Sequence, residues 1–275
     1  MSRFLALRFS PVFALAIWAS WIFLLDSPAG AQRAPLPRGF VYLRDIDDSI
    51  AQDMKYATPD NFTGRPVSGY HDRAECIVRE EVARALANVQ KELRAAGYSL
   101  KVYDCYRPQR AVRSFVTWVN GASEDQSTRR FHPDVRRQDL LALGYIARTS
   151  SHSRGVAVDA ALTTIPPPQT AAFDPSRRYG DCTGPKQQRS PDSSLDFGSG
   201  FDCFDEKSHT QSTSISKEQA RARALLSTAM AKHGFVNYAR EWWHFTLNVR
   251  GATRAFDFPV QAHPGASRSD GVEGP

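Results

Sequence analysis

Ser150-Ser151-His152-Ser153-Arg154-Gly155-Val156-Ala157-Val158-Asp159 and, some eighty residues on, Glu241-Trp242-Trp243-His244 organise this chain. Together they offer two imidazoles, two carboxylates and an aromatic wall. Two histidines and one carboxylate suffice to hold a zinc ion with one coordination position left open. The remaining carboxylate is then free to act as a base on the metal-bound water. His152 and Asp159 lie seven residues apart, which in one straight strand puts them on opposite faces. Gly155 lets the chain turn between them. That leaves His152 on an incoming loop and Asp159 on a strand spanning Gly155 to Leu162. Glu241 and His244 face a similar difficulty. Their β-rich flank, Phe245-Thr246-Leu247-Asn248-Val249, favours a strand, so a bend near Trp242-Trp243 is required to aim both inward. The plainer alternative pairs Glu241 with Arg240 or Lys232 and leaves His244 as a satisfied core histidine.

Outward from these stretches, Val78, Val82, Leu86, Val89 and Leu93 recur at helical spacing, and Gly97 closes that helix. Leu100 to Tyr106 reads as a strand ending at Arg107-Pro108, with a second helix over 109–120. Arg107 is placed to project over a sheet edge and to donate to the oxyanion of a tetrahedral intermediate. Its alternative role is a salt bridge to Asp104 or to a surface carboxylate. A short helix is expected over 139–146. From Pro166 to Thr213 the composition turns to Pro, Ser, Gly and Asp without periodicity, too long for a plain connection. Ser216-Lys217-Glu218-Gln219 is a capping box, opening a helix that runs to about His233 with Gly234 behind it. Phe235 to Tyr238 begins a strand pair. The order predicts an α+β fold, a small and mainly antiparallel sheet flanked by helices in one domain over 32–258.

The chain has 275 residues, 41% hydrophobic and 23% charged, with a net charge of +6. These values are ordinary for a globular protein. No basic run is interleaved with aromatics, which argues against nucleic acid as a partner. Arg3 and Arg8, the uncharged run from Phe9 to Leu25 and the small residues Ala29-Gly30-Ala31 read as a signal peptide over 1–31. The expectation is an exported, periplasmic protein with no membrane span after cleavage; the alternative is an uncleaved N-terminal anchor. The tail over 259–275 is polar and expected to be disordered. Cys76, Cys105, Cys182 and Cys203 are an even set in an oxidising compartment, with three connectivities open. Cys76–Cys105 with Cys182–Cys203 is favoured, since the second pair brackets a loop-like stretch.

His152-x-x-Gly155-x-Ala157-x-Asp159 preceded by Ser150, with Glu241-Trp242-Trp243-His244 downstream, resembles the zinc D-alanyl-D-alanine peptidases. Asp60-Asn61-Phe62-Thr63-Gly64, Asp104-Cys105-Tyr106-Arg107-Pro108 and Asp196-Phe197-Gly198…Phe201-Asp202 narrow the likeness to the dipeptidase branch, from about Asp53 to Leu247. The resemblance implies that His152, Asp159 and His244 bind one zinc ion, that Glu241 is the base, and that Arg107 stabilises the oxyanion. It implies Ser150 and Asp196 near the substrate ammonium, and D-Ala-D-Ala or a related D,D-dipeptide as substrate in peptidoglycan precursor turnover. The alternatives are a D,D-carboxypeptidase trimming stem peptides and a non-catalytic, zinc-containing wall-binding module. Cys105 departs from the Gly expected there, and a bond to Cys76 fits an exported form. Phe197 stands where Met is more usual.

Overall fold

The computed structural model describes Met1 and residues 35–121 and 126–265. Apart from Met1 the expected signal peptide lies outside them, and the architecture below belongs to the unit beginning at Leu36. Val82, Leu86, Val89 and Leu93 are all buried on one side of helix α1 (Glu80–Ala95), while Val78, the first of the expected series, lies in the strand Ile77–Arg79 before it. Helix α2 (Gln109–Val119) follows Pro108, which occupies the N-cap. A single turn, α3 (Gln126–Arg129), comes next. Helix α4 (Lys217–Lys232) opens on the expected capping box: Gln219 N–H donates to Ser216 Oγ, and Ser216 N–H donates to Gln219 Oε1. Gly234, at φ +87°, follows its end.

Strands β1 (Phe40–Tyr42) and β3 (Ile77–Arg79) form an antiparallel pair. The main sheet comprises β2 (Ala51–Gln52), β4 (Tyr98–Asp104), β5 (Ala157–Thr164), β6 (Phe235–Asn237) and β7 (His244–Leu247), in the order β2-β4-β5-β7-β6. It is antiparallel except for the β2–β4 edge, which is parallel. The α+β reading therefore stands, with one parallel edge added. Helices α1 and α4 pack against each other and against the sheet. Another set of side chains meets the irregular 166–213 segment: Lys101 pairs with Asp192, Tyr103 stacks on Phe201, and Thr163 Oγ1 donates to Ser193 O. That segment carries only the short 3-10 turns Lys186–Gln188 and Glu206–Ser208.

Two expectations change. No helix forms over 139–146: a 3-10 turn covers Arg137–Asp139, after which Tyr145 N–H and Ile146 N–H both donate to Leu140 O. Gly144, left-handed at φ +77°, turns the chain back there. The tail expected to be disordered from 259 is instead held over its first residues. Val260 bridges Tyr70 and is buried, as is Ala262, whose carbonyl accepts from Tyr42 Oη. The rest of the tail, from 266, lies outside the described residues. The disulfides are Cys76–Cys105 and Cys182–Cys203. Among the described residues no helix is long and apolar enough to cross a membrane.

Candidate metal centre and active site

His152 sits on a single 3-10 turn, His152–Arg154, that Gly155 closes in the left-handed region at φ +72°. A Cβ on Gly155 would lie 2.3 Å from Phe40 Cε1, so both backbone and space demand glycine. The turn reverses His152 onto the first residues of β5, where Asp159 stands. The second stretch bends too. Glu241 N–H donates to Tyr238 O and His244 N–H donates to Glu241 O, two consecutive turns. They place Glu241 ahead of the strand, while His244 opens β7 in register with Asp159. The regular strand that would have split Glu241 from His244 does not form.

His152 Nε2, His244 Nδ1 and Asp159 Oδ1 form a triangle with sides of 3.1, 3.1 and 3.3 Å. Ligand atoms around a tetrahedral zinc at 2.0–2.1 Å lie roughly 3.3 Å apart. The tautomers agree with a cation. His152 Nδ1 is 2.6 Å from the Cys105 carbonyl and donates to it, leaving Nε2 as a lone pair. His244 Nε2 has the hydroxyls of Thr246 at 3.4 Å and Ser151 at 3.5 Å, either of which can accept its proton when Nδ1 faces a cation. With both facing nitrogens unprotonated, two lone pairs and a carboxylate oxygen repel one another unless a positive ion lies between them. This is the one such cluster among the described residues.

Arg107 reaches the centre from the end of β4. A register shift between Val102 and Asp104 sets Asp104 opposite Asp159. Arg107 then spans both carboxylates, Nε to Asp104 Oδ2 at 2.8 Å and Nη2 to Asp159 Oδ2 at 3.2 Å. Its guanidinium lies over the rings of Tyr56 and Phe115. The salt bridge to Asp104 and a place beside the His152–Asp159–His244 triangle thus hold together. Glu241 Oε2 stands 3.8 Å from His244 Nδ1. Burial, followed by the charge of Asp159, pushes its carboxyl up to about 8. Burial also works to raise Asp159, but His152 and His244 outweigh it and hold that carboxyl below its ordinary range.

These groups line one cavity of about 190 Å³, with Tyr56, Ser150, Tyr145, Asp202 and Trp243 in its wall. Ligand sites for larger molecules run to roughly 300–1,000 Å³, so this one takes something small. Ser150 lies in the wall, its Oγ accepting from His152 N–H at 3.2 Å. Asp196 does not line it. Arg189 Nη2, Gln219 Nε2 and Gly198 N–H all donate to Asp196 and hold it away. The carboxyl that the irregular segment does supply is Asp202, which accepts from Tyr56 Oη at 2.9 Å. Burial and the Asp159 charge push Asp202 well above the carboxylate range. Asp202 belongs to the motif that carries the resemblance, but spacing alone could not rank it above Asp196.

A sequence profile described as D-ala-D-ala dipeptidase matches residues 37–165 and 188–261. The chain is 34% identical over 224 residues to the D-alanyl-D-alanine dipeptidase of Enterococcus faecium, covering 81% of this chain and 98% of that protein. This chain belongs to the D-alanyl-D-alanine dipeptidase family. A Streptomyces coelicolor dipeptidase is also 34% identical, over 80% of this chain and 98% of its own length. The Escherichia coli dipeptidase is 30% identical over 75% and 83%. Against the family profile, this dipeptidase-family chain has an unmatched stretch, 166–187, which includes Cys182.

Proposed function

We propose that the protein is an exported zinc dipeptidase that hydrolyses D-Ala-D-Ala, or a close D,D-dipeptide, in peptidoglycan precursor turnover. The observation that carries this reading is the meeting of the His152–Asp159–His244 triangle with Glu241 and Arg107 in one small cavity. Zinc held by those three ligands would supply a Lewis acid, acidify the attacking water and, by its charge, draw Glu241 down from about 8. Glu241 takes the proton from the water and returns it to the leaving amine. Arg107 keeps Nη1 clear of hydrogen bonds among the described residues, and this donor serves the carbonyl oxygen as it gains charge. Asp202 receives the free amino group of the substrate. A carboxyl raised by burial ionises when an ammonium arrives to pair with it. Ser150 Oγ offers the amine a second polar contact.

A free amine facing Asp202 is what separates a dipeptidase from a carboxypeptidase that accepts long stems. The presence of both Glu241 and Arg107 argues against a non-catalytic wall-binding module. The test is free D-Ala release by the zinc-loaded mature protein from D-Ala-D-Ala, its N-acetyl derivative and a stem pentapeptide. Release from the dipeptide far faster than from its N-acetyl derivative or the pentapeptide supports the proposal; release from the pentapeptide with none from the dipeptide overturns it. Export is supported by the two disulfides, which persist in oxidising compartments. Cell fractionation should find the protein in the periplasm with Gln32 at its N-terminus. Recovery in the membrane with Met1 retained would instead indicate an anchor.

A further inference from the structure

Asp202 is the one non-glycine residue with positive φ among those described, at +56°. Such a backbone is uncommon outside glycine and persists where the surroundings over-determine it. Three attachments flank it. Gly200 N–H donates to Cys182 O at 2.8 Å, Phe204 N–H donates to Phe131 O at 2.7 Å, and Cys203 is bonded to Cys182. Cys182 is itself anchored, its N–H donating to Arg130 O at 2.8 Å. The covalent tie thus falls on the residue next to the cavity carboxyl, and its other end lies in the 166–187 stretch outside the family profile. The remaining disulfide has a different neighbour: the Cys105 carbonyl holds His152.

We propose that the Cys182–Cys203 disulfide is a positioning clamp for Asp202, fixing the amine end of the cavity and so the preference for a free dipeptide. The clamp rests on the dipeptidase reading above. With the bond removed, the 200–204 turn relaxes toward ordinary φ values and Asp202 loses its aim at the substrate amine. The metal triangle, held from other segments, stays in place. The two disulfides therefore act on different quantities: Cys182–Cys203 on recognition of the amine, Cys76–Cys105 on the metal ligand.

The experiment compares kcat/KM for D-Ala-D-Ala with that for N-acetyl-D-Ala-D-Ala. Both are read on one preparation, so the ratio is independent of how much of the protein is folded. Cys182→Ala/Cys203→Ala should lower this ratio at least tenfold, mainly through KM for the dipeptide, with bound zinc per chain unchanged. In an Asp202→Asn background, where the ratio has already fallen, the same pair of substitutions should change it less than twofold. Should the double variant not fold, the native enzyme treated with a water-soluble phosphine gives the substrate ratio alone, compared with a phosphine-treated Cys76→Ala/Cys105→Ala variant to separate the effect of the other disulfide. There each disulfide takes two electrons from the phosphine and two protons from a water molecule, whose oxygen leaves on the phosphine as its oxide. An unchanged ratio, or the same fold-change in both backgrounds, overturns the clamp. A wild-type enzyme inactive on D-Ala-D-Ala would instead overturn the dipeptidase reading itself.

Discussion

Replacing Arg107 with Met should damage stability and turnover separately. The Arg107 side chain is 13% exposed, and its partners Asp104 and Asp159 are 0% and 2% exposed, so solvent screens neither ion pair. Removing one member of a buried pair costs about 3–5 kcal/mol, because the other charge is left in a low-dielectric surrounding. Asp104 keeps only Tyr70 Oη at 2.5 Å and His152 Nδ1 at 3.4 Å. Burial already raises its pKa, with Arg107 the main opposing charge. With Arg107 gone the balance shifts further toward the neutral carboxyl, which limits the loss to the lower part of that range. Asp104→Asn added to Arg107→Met should then recover a large share of it. Loss of the proposed oxyanion donor should lower kcat a further 10²–10³-fold, about 2.7–4 kcal/mol. Urea unfolding followed by tryptophan fluorescence, with disulfides intact, measures the first quantity, and D-Ala release the second. A single variant destabilised by less than about 1 kcal/mol would refute the electrostatic reasoning. So would a double variant no more stable than the single.

Gly155→Ala should cost about 1–3 kcal/mol through left-handed strain and the contact with Phe40. Because the same turn carries His152, it should also weaken zinc binding, checked by competition with a chromophoric chelator. Stripping the metal should lower Tm. If zinc is held at about 1,000 times its Kd, its loss removes about 4 kcal/mol, roughly 8–16 °C for a domain of this size by calorimetry. Asp192 accepts from Lys101 Nζ at 2.7 Å and Tyr103 Oη at 2.5 Å. Burial opposes its ionisation, but Lys101 and Lys55 outweigh burial and hold its pKa below the ordinary value. A depressed carboxyl contributes stability that is full above the unfolded pKa, about 4, and is lost as pH falls toward the folded value. Asp192→Asn should therefore be less stable than wild type at pH 7 and lose less between about pH 4 and 2. Parallel curves of urea midpoint against pH would contradict this.

Local signals carried much of the fold. The spacing of Val82, Leu86, Val89 and Leu93, and the Ser216–Gln219 box, act within one or two turns of chain and located α1 and α4 to within a few residues. Gly155 was legible for the same reason: one residue decides whether His152 folds back on Asp159. What the sequence could not rank were choices made by distant partners. Asp196 and Asp202 lie six residues apart in one irregular segment, and Arg189 with Gln219 from α4 takes the first, leaving the second to the cavity. The buried Val260 and Ala262 owe their order to residues near 42 and 70, far from a tail that reads as polar. The parallel β2 edge is two residues long, too short for any periodicity to declare.

The measurement that tests the account most directly is D-Ala release from D-Ala-D-Ala by the zinc-loaded mature protein and its Glu241→Gln variant, with zinc per chain determined on both. The account predicts one zinc per chain in each, dipeptide hydrolysis by the wild type, and a loss of several orders of magnitude in kcat for the variant. Substantial turnover by Glu241→Gln with its zinc in place would contradict the assignment of Glu241 as the proton carrier.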